Sequence, residues 1–223
     1  MVYVETVDLA SRGIIFPSDR VGMVIAQPYL PDVSLTSLEP YQYTAQAKQQ
    51  QMQVLRETLS VARSARHGAP KTHFTIFPEY SIPGIDGITL VETALHATDW
   101  PNSTVVIGGT DGLTQPQYMQ LLQSGKTHFN VERNGSDRVR PNQWVNCAIT
   151  WVKDSDGHLE RWIQPKLHPS RDEMNITLQH MFQGSSVYLF KGLLENDAPY
   201  LFGTLVCFDW IATIDTKRTC QWI

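Results

Sequence analysis

Near its middle the chain carries Asp154-Ser155-Asp156-Gly157 between two apolar, aromatic-bearing runs, 146–152 and 159–163. Asp-Gly at such a junction supplies the left-handed backbone of a tight hairpin, so the two runs form neighbouring antiparallel strands. Upstream the pattern differs. Short apolar runs at 21–27, 73–77 and 103–107 are separated by helix formers from about Thr44 to Arg66 and by a second helical stretch at 88–97. In the longer segment Met52, Leu55, Leu59 and Ala62 recur at three- and four-residue spacing, which marks one buried helical face. His67-Gly68-Ala69-Pro70 closes it, with a Gly and a following Pro. Strands alternating with helices predict α/β layers, and the hairpin makes the sheet mixed rather than wholly parallel. Further strands are expected at 186–190 and 200–206.

With 223 residues, 42% of them hydrophobic and 18% charged, the chain can bury one substantial core. Residues 1–20 have no clear period and read as an N-terminal extension or tether, leaving 21–223 as the folded domain. The stretch 111–141 is polar and rich in Gln and Asn, which suggests a surface insertion around a short helix at 117–123. A net charge of −4 leaves no electrostatic footprint for nucleic acid. Nothing approaches the roughly 18 apolar residues of a membrane span, and no basic start precedes an apolar stretch as in a signal peptide. Cys147, Cys207 and Cys220 are too widely spaced for a disulfide framework or a zinc site, which points to a reducing cytoplasm. The sequons at Asn102, Asn134 and Asn175 are then chance matches. Gly125-Lys126-Thr127 imitates the end of a phosphate loop, but position 120 is Gln where that motif needs Gly.

Three segments share one design, an apolar or aromatic run that stops on an ionisable group. Phe74-Thr75-Ile76-Phe77-Pro78 ends on Glu79, Arg161-Trp162-Ile163-Gln164-Pro165 on Lys166, and Gly203-Thr204-Leu205-Val206 on Cys207. Alone, Cys207 fits a small core hydrophobe as well as a nucleophile. A carboxylate, an ammonium and a thiol on three strand ends form a catalytic set, because a sheet fixes the direction of whatever its strand ends expose. His168, two residues past the lysine, fits a hydrogen-bonding neighbour or a structural role equally.

The same residues resemble the nitrilase, or carbon–nitrogen hydrolase, superfamily. Phe77-Pro78-Glu79 with Pro83-Gly84 is similar to its catalytic-glutamate motif. Asn146-Cys147-Ala148, Asp156-Gly157 and Lys166-Leu167-His168 are similar to the run into its lysine, and Gly203 to Asp209 to its nucleophile motif. The resemblance spans about residues 21–223. It implies an α-β-β-α sandwich that dimerises through a helix layer and hydrolyses a non-peptide C–N bond of an amide, nitrile or carbamoyl substrate. Glu79 would be the general base, Lys166 the transition-state stabiliser and Cys207 the nucleophile. A second glutamate follows the lysine in many members, and Glu173 is the available match, although the wording around it departs from the usual motif. Glu173 then either orients substrate or is a solvated loop carboxylate.

The chemistry is self-consistent. Sulfur attacks the amide or nitrile carbon, Lys166 stabilises the thiolate and then the oxyanion, and the backbone N–H of Phe208 is a second donor. Loss of ammonia or amine leaves a thioester, which water activated by Glu79 resolves to acid. Neither metal nor organic cofactor is needed. The same thioester would serve an N-acyltransferase. A regulatory or dimerisation domain of a larger multidomain protein, such as a defence-system fusion, is the alternative of a different class. The family's sandwich continues well past its cysteine, so the C-terminal part is expected to be missing here. The chain is then one piece of a longer polypeptide, or a partner chain, a second copy included, covers it.

Overall fold

The computed structural model describes residues 2–28, 42–64, 71–175, 180–207 and 209. The expected helix stop at 67–70, Phe208 and Cys220 lie outside them. The chain opens on β1 (Tyr3–Asp8) and a short 3-10 turn. Next come β2 (Ile15–Phe16), β3 (Met23–Ile25), α1 (Ala45–Ser64), β4 (Phe74–Ile76), α2 (Gly84–His96), β5 (Thr104–Gly109) and β6 (Leu113–Thr114). After α3 (Gln115–Gln123), β7 (Thr127–His128) and α4 (Val131–Asn134) come β8 (Gln143–Val145), β9 (Cys147–Lys153) and β10 (Leu159–Pro165). The described part closes with α5 (Arg171–Asn175), β11 (His180–Met181), β12 (Ser186–Leu194) and β13 (Pro199–Gly203). None of the described helices is long and apolar enough to cross a membrane.

The molecule is mixed α/β. Its larger sheet runs β3-β4-β5-β9-β10-β7. The first three strands are parallel, and β9 and β10 form the antiparallel hairpin that the Asp-Gly turn demands, with Lys153 opposite Leu159 and Gly157 at φ +87°. A second sheet lays β1 and β2 in line along one edge of β12 and β13 along the other. Alternation along the strands separates two cores, since successive side chains point to opposite faces. Val106, Ile149, Trp151 and Ile163 meet Leu55, Leu59, Val91, Leu95, Tyr118 and Leu121 of the helices. Their neighbours Val105, Val152 and Trp162 meet Val7, Phe16, Tyr188 and Phe190 of the second sheet. Helices thus cover one face of the larger sheet and the second sheet covers the other.

Two sequence expectations change. Residues 3–8 are no tether: they form a full parallel ladder with β12, and Val7 and Leu9 enter the inter-sheet core. A strand this short, exposed on one face, leaves too few alternating positions to be read as a period. Nor is 111–141 a surface insertion. Its helix α3 starts at a Thr114/Gln117 capping box and buries Tyr118, Leu121 and Leu122 in the main core. Arg161, itself buried, donates to the carbonyls of Leu121 and Ser124 at the other end of α3 and pairs with Glu92 of α2. The many polar residues of this stretch satisfy backbone and turns, which composition alone cannot distinguish from solvated loop.

Candidate functional site

Glu79 lies three residues past β4, on a loop held against the end of β5. Phe77 donates to Ile107 at 2.8 Å and Ile82 to Gly109 at 3.0 Å. A Cβ at position 109 would lie 2.6 Å from the Cα of Glu79, so the Gly108-Gly109 pair is what lets this loop approach. Tyr80 then turns the chain at φ +61°. Lys166 follows β10 directly. Its N–H donates to the carbonyl of Asn146 and its own carbonyl accepts from Gly184, both at 2.8 Å.

Cys207 reaches the same place from the second sheet. The strand expected to run to 206 stops at Gly203, and Thr204 is drawn away from the ladder when its carbonyl accepts from Gln164 at 2.7 Å. Cys207 therefore sits on a turn beyond the strand, exposed, at φ +45°. That conformation costs a non-glycine residue about 1–3 kcal/mol and persists only where neighbours enforce it. Asp209 is the enforcer. Its buried carboxylate accepts the N–H groups of Leu167, His168 at 2.7 Å and Val206, which ties the cysteine turn to the lysine. Burial raises the pKa of Asp209 above the ordinary carboxylate value, although these three donors oppose the rise.

The structure brings Glu79, Lys166, Glu173 and Cys207 together. The Lys166 ammonium, 1% exposed, lies 2.8 Å from Glu79 and 2.7 Å from Glu173. Asn146 donates its amide to both carboxylates. Glu173 further accepts from the hydroxyl of Tyr80 and from the N–H of Ser170. It is a buried ion-pair partner, not a solvated loop carboxylate. Burial alone would lower the pKa of Lys166, but the charges of Glu79 and Glu173 outweigh it and the net direction is up. For Glu173 burial pushes up, and Lys166, Tyr80 and Ser170 together pull the carboxyl below its ordinary value.

Cys207 goes the other way from expectation. Partial burial first, then the nearby charge of Glu79, raise its pKa, and Lys166 opposes this without prevailing. Lys166 is already neutralised by two carboxylates, so it has little field left for a thiolate. At rest Cys207 is therefore a thiol in the field of the Glu79 carboxylate. Cys147 differs entirely, for burial beside Thr110 pushes it up to about 12.

Tyr80, Asn146 and Asp209 complete the site, and sequence reasoning gave none of them a role. Asn146 and Asp209 stand inside the three motifs; Tyr80 directly follows Glu79. Among the described residues no three His, Cys, Asp or Glu converge as metal ligands. Comparison with protein-family models, curated proteins and solved structures finds no match to this chain.

Proposed function

We propose that this protein hydrolyses a non-peptide carbon–nitrogen bond through a thioester on Cys207, on a nitrilase-like α-β-β-α sandwich. One observation carries the reading: a thiol on a strained turn, in the field of a carboxylate that is itself paired with a buried ammonium. Such strain and such pairing are costly and have no evident structural use at an exposed cysteine.

Glu79 takes the thiol proton as sulfur attacks the substrate carbon, and the oxyanion forms beside the Lys166 ammonium. The tetrahedral intermediate collapses, and Glu79 returns the proton to the departing nitrogen. Water then attacks the thioester, gives its proton to Glu79 and releases the acid, and the proton returns to sulfur. Glu173, Asn146 and Tyr80 hold Lys166 in place without taking protons. A panel of amides, nitriles and carbamoyl amines, assayed for ammonia with wild type and Cys207→Ala, tests the reading. Ammonia from wild type alone is expected. Equal release from both proteins, or none from either across the panel, overturns it.

A further inference from the structure

A cleft of about 580 Å³ opens beside the catalytic cluster, within the roughly 300–1,000 Å³ typical of small-molecule sites. It shares Glu173 with that cluster, and the Glu173 carboxylate is 2.7 Å from the Lys166 ammonium. A ligand in the cleft therefore lies one side chain from the reacting groups. Its remaining walls divide by chemistry. Met174, Met181 and Phe182 are apolar, whereas Arg138 and Arg140 bring two guanidinium groups.

Backbone geometry explains why both arginines reach one cleft. Val139 between them is extended and buried, its carbonyl held by Gln115, so residues 138 and 140 emerge on the same side. The N–H of Arg140 is anchored 2.9 Å from the Gln143 side chain. Among the described residues neither guanidinium has an ion-pair partner, while the only acid lining the cleft, Glu173, is already matched to Lys166. Paired planar donors without a protein acceptor, over apolar walls, suit a carboxylate on a short carbon chain.

We propose that this cleft takes the carboxylate end of the substrate, with Arg138 and Arg140 as specificity residues, so that the enzyme acts on amides bearing a remote carboxylate. The proposal rests on the hydrolase reading for which end of the molecule reacts. The stretch 111–141 then has a use, because it delivers the arginine wall.

The test measures equilibrium binding to full-length Cys207→Ala protein of a six-carbon monoacid monoamide and of its uncharged methyl ester. The acid is expected to bind at least tenfold more tightly. Adding Arg138→Gln and Arg140→Gln together should remove that difference, with the thermal midpoint showing that the fold persists. Equal binding of acid and ester, or a difference that survives the double substitution, overturns the proposal. Ammonia release by wild type from the same two compounds separates the two readings. Release from both at equal efficiency sinks the carboxylate preference and leaves the hydrolase standing. An acid preference in binding with no release from any amide sinks the hydrolase and leaves the anion site.

Discussion

At the scale of single residues the two described cysteines make opposite predictions. Cys207 is exposed near the Glu79 carboxylate, whereas burial pushes the pKa of Cys147 up to about 12. Iodoacetamide at neutral pH should therefore modify Cys207 and leave Cys147 unmodified, as peptide mass mapping will read. The rate should rise with pH through and above the ordinary thiol range, since the Cys207 pKa is raised rather than lowered. A reaction already at its plateau at pH 7 would contradict the resting-thiol assignment. Lys166→Ala strips buried Glu173 and partly buried Glu79 of their ammonium. Breaking a buried pair costs about 3–5 kcal/mol, so the thermal midpoint should fall together with activity. Adding Glu173→Gln removes one of the stranded charges and should restore part of that stability but no activity. Asp209→Asn gives up one acceptor oxygen among three N–H donors and lets the cysteine turn drift from the lysine. Amide turnover should drop by about a hundredfold while substrate affinity holds, because misplacement penalises the chemical step. Glu79, Lys166 and Cys207 were legible because each interrupts an apolar run. Asn146, Tyr80 and Asp209 act only through partners distant in sequence, so no local pattern could give them roles.

At the scale of elements, α2 depends on one carboxylate. Asp111 accepts the N–H of Gly84 at 2.6 Å and that of Tyr43, and so fixes the start of the helix just after the Glu79 loop. Burial raises its pKa to about 7, although these N–H groups oppose the rise. An acid whose folded pKa is raised is neutral in both states at low pH. As pH climbs, the unfolded chain ionises first, near 3.8, and the folded one near 7. Asp111 therefore makes stability fall as pH rises through that window, with a limiting slope of about 1.4 kcal/mol per unit. Chemical denaturation at pH 4.5 and pH 8 should show this loss, and Asp111→Asn should flatten it. An unchanged pH difference in the variant would remove Asp111 as its source. The helix itself was partly legible, from position 88 onward. Its first turn reads as Pro/Gly loop because what starts it is a side chain from beyond β5.

The whole molecule divides the site between two sheets. Glu79 and Lys166 follow strands of the larger sheet, whereas Cys207 follows β13 of the second, and packing between the sheets acts with the Asp209 clamp to set one against the other. That packing is aromatic. Phe190 meets Trp162 of the larger sheet edge-on at 5.5 Å, and Phe202 meets Phe74 edge-on at 5.2 Å. Each such pair adds about 0.5–1.5 kcal/mol beyond its buried area. Strands β3, β4, β5, β9, β10, β12 and β13 were legible, but β1 and β2 of the second sheet were not, because residues 1–20 show no period and read as a tether. Phe190→Ala empties the centre of this layer and should cost about 3–5 kcal/mol of stability. Its consequence should reach the site before the fold is lost. Below its thermal midpoint, the variant should keep the Lys166–Glu173 cluster, which lies wholly on the first sheet's side, and lose the register of Cys207 with Glu79. Amide turnover should then fall while denaturant unfolding remains a single transition. Full turnover in a folded Phe190→Ala protein would mean that the Asp209 clamp alone positions Cys207 and that the inter-sheet core serves stability only.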